Sequence, residues 1–192
     1  MIVSRRAQLH RRFLTSTRGV AAVEFAVMLP ILVTLFLASV DAARAIAIYT
    51  KVRAATYVLD AITNQYTTIQ STDMSAILGA TSVVLAPYSS SPVKVVLSQI
   101  KVTSATAAKV NWSATLNGTA LTQNSSTTVP TNFASCSSYP CYLIYGQVSY
   151  TYTPLFLYFT KSAITLSDSL YATPRVSECI TYPPASVTTS PC

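Results

Sequence analysis

Histidine is almost absent from this chain. His10 is the only one among 192 residues. It lies in a basic N-terminal stretch, so everything beyond the first apolar segment lacks an imidazole for general-base chemistry. G-x-S-x-G, a P-loop, a dinucleotide fingerprint and H-E-x-x-H are absent too. Nothing remains from which to assemble a catalytic constellation, and the chain reads as a non-enzyme with no cofactor and no small-molecule substrate. A zinc site would need all four of Cys136, Cys141, Cys179 and Cys192, and no C-x-x-C pair occurs among them.

Charge is the second scarcity. Charged residues make up 10% of the chain and hydrophobic ones 51%, against about 25% charged in ordinary soluble domains. So few charges direct attention to a membrane segment. The charges present are unevenly spread. Arg5, Arg6, Arg11, Arg12 and Arg18 give the first eighteen residues +5 with no acid among them. The remaining eight basic and six acidic residues give only +2. A nucleic-acid binder would carry its excess on a folded face. Here it precedes an apolar run, where the positive-inside rule keeps it on the cytoplasmic side.

That run is GVAAVEFAVMLPILVTLFLASV, Gly19 to Val40, with Glu24 its only ionisable residue. As a helix it measures about 33 Å, enough to cross the hydrocarbon core. A removable signal peptide has an apolar region of only about 7–15 residues. No Gly or Pro follows until Gly79, and Ile46, Tyr49, Val52, Leu59 and Ile62 recur at helical spacing. Arg44, Lys51, Arg53 and Asp60 occupy other positions. The pattern predicts an amphipathic continuation to about residue 65 whose stripe packs on the C-terminal domain. A short helix, Asp73 to Leu78, is expected next, capped by Thr72 and stopped by Gly79.

From about residue 82 Ser, Thr, Val and Tyr dominate, which favours strands. Residues 93–104 and 109–116 read as an antiparallel pair. Residues 142–154 place Val148, Tyr150 and Tyr152 on one face, and 163–172 form a fourth strand. Asn117-Gly118 marks a turn. Residues 123–141 read as a long loop. The organisation is a basic leader (1–19), a membrane helix (20–41), an amphipathic extension with a short helix (42–80) and a β-rich domain (81–192). The fold class is α+β, a long N-terminal helix followed by a small, mostly antiparallel β domain. All four cysteines lie beyond the membrane segment, so disulfides are expected, paired as nearest neighbours: Cys136–Cys141 and Cys179–Cys192. The N-x-[ST] triplets at Asn111, Asn117 and Asn124 arise by chance in so Ser/Thr-rich a chain. The tyrosines at 139, 142, 145, 150 and 152 read as half-buried strand residues rather than as an adhesive surface.

An acid inside a membrane helix costs about 2.5–3.5 kcal/mol even on lenient scales. Glu24 has no basic residue one or two turns further along; its neighbours there are Val27, Met28, Ile31 and Leu32. Energetics alone leave two readings open. In one, Glu24 snorkels toward Arg18 or water; in the other, it has a functional partner. Pro30 lacks an N–H and either kinks the helix or is simply tolerated there.

Arg18-Gly19-Val20-Ala21-Ala22-Val23-Glu24-Phe25 resembles the cleavage motif of type IV pilins: a basic leader ending in Gly, then an apolar helix with Glu at its fifth residue. The longer string to Ala45, with Pro30 and Asp41-Ala42-Ala43-Arg44, resembles the TadE-like pseudopilins of the tight-adherence (Tad) pilus system. The resemblance covers about residues 18–60. It implies a minor pilin precursor cut between Gly19 and Val20 by a prepilin peptidase, with Gly19 offering an extended backbone to the enzyme. Glu24 and Phe25 would then serve assembly, Glu24 by pairing with the new α-amine of a neighbour's Val20. The implied partners are other pilin and pseudopilin subunits, the peptidase, the inner-membrane assembly machinery and membrane lipid. The implied location is the bacterial inner membrane, single-pass, with the N-terminus cytoplasmic, the C-terminal domain periplasmic, and a place in an extracellular pilus beyond that. Two alternatives remain. One is an uncleaved single-pass envelope anchor bearing an adhesin or scaffold domain. The other is cleavage by ordinary signal peptidase near Ala43-Arg44-Ala45.

Overall fold

The computed structural model describes residues 17–134, 136–156 and 162–182. Its dominant element is one uninterrupted helix, α1 (Thr17–Thr63), of 47 residues, about 70 Å long. No glycine beyond Gly19 and no residue other than Pro30 opposes it. Pro30 sits inside the helix without ending it, and the Thr34 hydroxyl donates to the Pro30 carbonyl (2.7 Å). Most of the N-terminal half of α1 stands clear of the domain: from Gly19 to Phe36 every residue is exposed.

The second half of α1 is the spine of the domain. After it come α2 (Ser71–Val84), β1 (Val93–Ser104), β2 (Ala107–Leu116), β3 (Ser126–Thr127), α3 (Thr131–Ala134), β4 (Cys141–Tyr152) and β5 (Ile164–Ala172). The strands form one antiparallel sheet in the order β3-β2-β1-β4-β5. The four long strands fall where Val, Thr and Tyr are dense, as the sequence predicts. The expected loop 123–141 also contains β3 and α3.

Both long helices lie on one face of the sheet. Val93, Val95 and Leu97 of β1 and Ile144, Val148, Tyr150 and Tyr152 of β4 point to them, and meet Ile48, Val52, Ala55 and Leu59 of α1 and Met74, Ile77 and Leu78 of α2. A register shift between Gln99 and Ile100 turns β2 over at Asn111, so Trp112 and Ala114 join this core while Ala108 joins a smaller cluster on the opposite face. That second cluster holds Ile100, Val102, Ala134 and Leu143, with Phe133, Tyr145 and Tyr171 packed against it. The tyrosines are mostly packing residues: Tyr150 and Tyr152 are buried, and Tyr145 lies 4.9 Å from the Tyr171 ring.

Two expectations about the helices need correction. The second helix is not a short piece from Asp73 to Leu78. It begins at Ser71 and runs through Gly79 to Val84. Gln70 rather than Thr72 is its cap, and the Asp73 carboxylate accepts from the Gln70 N–H (3.2 Å). Burial of Thr81 and Leu85 continues the face begun by Met74, Ile77 and Leu78, and this outweighs the roughly 1 kcal/mol that a mid-helix glycine costs. The stripe of α1 is also rotated from the predicted one. Ile46 (65% exposed) and Tyr49 face outward, whereas Asp60, placed on the polar side by pattern, is 2% exposed. The buried face runs Asp41, Ile48, Val52, Ala55, Leu59, Asp60. It is built for close approach rather than bulk, because Gly146 of β4 lies directly beneath it.

The C-terminal segment closes the core. Thr181 pairs with Thr68 in a parallel bridge, its N–H donating to the Thr67 carbonyl (3.0 Å) while its own carbonyl accepts from Ile69 (2.9 Å). Buried Ile180 offers its carbonyl to Trp112 Nε1–H (2.8 Å). The same N–H also donates to Gln99 Oε1.

Candidate functional site

The residues singled out in the sequence are strung along α1, and the structure does not gather them into a pocket. Gly19 is the third residue of the helix, not an extended hinge before it, and a side chain there would meet nothing within 4 Å. The expectation of an extended backbone at the cleavage motif is therefore not met in this chain. Val20, Glu24 and Phe25 follow on exposed helix, Phe25 at 60%. Glu24 has no hydrogen-bond or ion-pair partner among the described residues, and Val20, Val23, Val27 and Met28 around it are all exposed hydrophobics. Residues 1–16 lie outside the described residues, including the leader arginines at 5, 6, 11 and 12.

The apolar stretch ends at Asp41, which holds the domain. Its carboxylate accepts the backbone N–H of Leu155 at Oδ1 (3.2 Å) and of Phe156 at Oδ2 (2.8 Å). The Tyr152 hydroxyl points at the same carboxylate and at the Asp41 carbonyl (3.4 and 3.3 Å). Burial pushes the Tyr152 hydroxyl pKa up, and the Asp41 charge and hydrogen bond push it further, against a smaller opposing pull from Arg44. Charge-assisted bonds from two consecutive amides fix the loop after β4 to the helix far more firmly than neutral ones would. One turn on, Arg44 stands 5.9 Å over the Phe156 ring.

Further along the seam, Asp60 presses on Gly146. A Cβ at 146 would lie 2.5 Å from Asp60 Oδ1 and 3.3 Å from a Leu59 methyl carbon. In register, Gly146 is flanked by Leu97 and Leu170. Both oxygens of Asp60 are without a partner, as is Asn64 Oδ1 one turn later. Burial raises the Asp60 pKa from 3.8 to about 7.

The cysteines stand apart from all this, in the domain. Cys136 and Cys141 form a disulfide across the turn that leads into β4. Cys179 is buried and disulfide-bonded; Cys192 lies outside the described residues. Among the described residues no group of three or more His, Cys, Asp or Glu is placed to hold a metal.

Pattern reading missed the Asp41 and Asp60 contacts. Asp41 sat in plain view at the end of the apolar run, but its partners are backbone amides more than a hundred residues away. Asp60 gave no signal at all, since a buried unpaired acid runs against every hydropathy rule.

No curated protein matches the chain, and no solved structure does. Residues 19–58 match the family model for TadE-like protein. That span holds the glycine, Glu24-Phe25, Pro30, Asp41 and Arg44, and it stops just short of the Asp60–Gly146 contact. Over residues 19–58, from Gly19 to the helix face that carries the sheet, the chain is similar to TadE-like proteins.

Proposed function

We propose that the chain is the precursor of a minor pilin, or pseudopilin, that takes part in assembling a Tad-type pilus. The similarity of residues 19–58 to TadE-like proteins supports a Tad pilus-related, structural role. The finer reading adds cleavage between Gly19 and Val20, insertion of α1 in the inner membrane with its N-terminus cytoplasmic, and export of the domain. The observation that carries it is Glu24: one exposed acid, five residues after a glycine, unpaired among the described residues in a wall of exposed hydrophobics. A buried or lipid-facing charge left alone costs several kcal/mol. Cleavage creates an α-amine on Val20 that is largely protonated at neutral pH. In a bundle of subunits that amine meets the Glu24 of a neighbour, and the two costs cancel. Assembly is thereby tied to proteolysis, since the precursor has no amine at that depth. Phe25 packs beside the pair, and Pro30 removes one backbone bond where the helix must leave lipid for protein.

One observation favours the uncleaved anchor as a second reading: α1 begins at Thr17 and runs through Gly19 without a break, and a peptidase needs extended backbone. N-terminal sequencing of the protein from membranes decides. Val20 as first residue supports the pilin reading, and Met1 supports the permanent anchor. A Gly19→Trp variant should accumulate with the leader attached; an unchanged mature band would overturn the peptidase assignment.

A further inference from the structure

We propose that the turn after β4, at Leu155 and Phe156, is a second membrane contact. It would seat these side chains in the lipid surface from which α1 emerges. This rests on the reading of α1 as a membrane anchor, and adds to it where and how the domain sits on the bilayer.

The height of the turn is fixed by α1 itself. From Gly19 to Val40 the helix rises about 33 Å, close to the roughly 30 Å hydrocarbon thickness. Asp41 therefore stands at the far boundary of the apolar layer. The two amides bound to its carboxylate are those of Leu155 and Phe156, so the turn cannot lie more than one side chain from that boundary. Much of its apolar side-chain surface is open: Leu155 is 64% exposed and Phe156 43%. Below them on the helix, about 7.5–9 Å along the axis from Asp41, Leu35 and Phe36 are exposed apolar residues too.

The polar neighbours fit a lipid surface. Arg44 lies three residues beyond Asp41, about 4.5 Å further from the hydrocarbon, at the height of lipid phosphates. Its guanidinium stands over the Phe156 ring. That order, with apolar side chains below, an aromatic ring at the boundary and a cation above, is the one membrane interfaces select. Asp41 itself is covered, being 2% exposed with its carboxylate turned to backbone amides. No bare carboxylate therefore faces the phosphates.

The contact would hold the domain in one orientation, since a single helix leaves it free to tilt while a helix and a turn together define a plane. The contrast within the domain is Val176. It is 62% exposed, but its neighbour Arg175 donates to the Asn64 carbonyl (3.4 Å) at the other end of the buried part of α1, more than about 30 Å from Asp41 along the axis.

The test uses the full chain in vesicles of phosphatidylethanolamine and phosphatidylglycerol, with the photoreactive residue benzoylphenylalanine placed singly at 33, 155, 156 or 176. All four positions are exposed, so folding is not at stake. Lipid adducts at 33, 155 and 156 with none at 176 are expected. Adducts at 33 alone overturn the second contact and leave the anchor intact. Adducts from 155 or 156 to a second copy of the chain, with none to lipid, assign the turn to a protein interface and overturn the proposal. No lipid adduct at 33 overturns the anchor reading and this inference with it.

Discussion

Asp60 makes the sharpest quantitative prediction. Unfolded, its carboxyl titrates near 3.8; folded, burial raises the pKa to about 7. Between these values the native state holds a proton that the unfolded chain releases, so unfolding gives up a proton and stability falls as pH rises. The contribution is fully present below about pH 4, is lost between about pH 4 and 7, and is flat above. Three units at about 1.36 kcal/mol each give roughly 4 kcal/mol as a ceiling. That is a large part of the roughly 5–15 kcal/mol that holds a typical domain together. Asp60→Asn keeps the shape and removes the titration. The two proteins should be similarly stable at pH 4 and diverge as pH rises, the variant becoming the more stable by up to roughly 4 kcal/mol at pH 8.

The sole tryptophan is a built-in reporter. Trp112 is 1% exposed and bonded to Gln99 and Ile180, so its emission shifts when the core opens. Guanidinium titrations of the full chain in detergent, at several pH values, give both stabilities. The difference between wild type and Asp60→Asn isolates this group from every other titration. Parallel pH profiles for the two proteins, or a wild type that gains on the variant as pH rises, would refute the reasoning.

Three further outcomes are expected. Gly146→Ala places a Cβ 2.5 Å from Asp60 Oδ1 and should cost about 1–3 kcal/mol by the same titration; a silent substitution would mean that α1 and β4 are not so close. Replacing Cys136 and Cys141 together by serine opens a short loop of sequence separation 5 and should cost about 2 kcal/mol, while the unreduced wild type takes up no alkylating reagent at either residue. Glu24→Gln should insert and be cut normally, then fail to cross-link to other pilin subunits; normal piliation would sink the charge pair and leave the anchor reading standing.

What the sequence made legible were features carried by single-residue preferences summed over a segment. The long apolar helix follows from twenty-two residues with one charge, and the four long strands follow from β-branched and aromatic density. The Cys136–Cys141 bridge follows from compartment and proximity. What stayed hidden depended on pairs. The sheet order β3-β2-β1-β4-β5 places β1 beside β4, a partner some forty residues away, and local pattern does not encode that choice. The buried face of α1 was read in part: Val52 and Leu59 are buried and Ile62 packs on the core as expected, but not every large apolar residue marks it. Ile46 and Tyr49 are large but face away, while Asp60 is buried where Gly146, lacking a side chain, lets the helix come close. The cleavage motif was legible as a pattern, yet its backbone was expected to be extended and is helical, since nothing between Thr17 and Pro30 opposes a helix strongly enough to break it.

α1 carries two acids, Glu24 and Asp60, that have no partner among the described residues, and the structure separates what each can do. Asp60 is closed in by Leu59, Gly146 and the flanking leucines of the sheet. No side chain from another molecule can reach it, so a proton is the only counter-charge that fits, and its consequences stay within the stability of the domain. Glu24 lies on open helix, with no covering element over it. A proton can satisfy it, but so can a cationic group carried by a second chain, and only the latter selects a neighbour and a register. Proteolysis at Gly19 would supply such a group one helical turn away, on every subunit that has been cut. The same residue type is thus an enclosed, titrating group at one end of the helix and an open, exposed one at the other. What separates the two is the sheet, which covers the spine from Asp41 onward and leaves Gly19 to Phe36 bare.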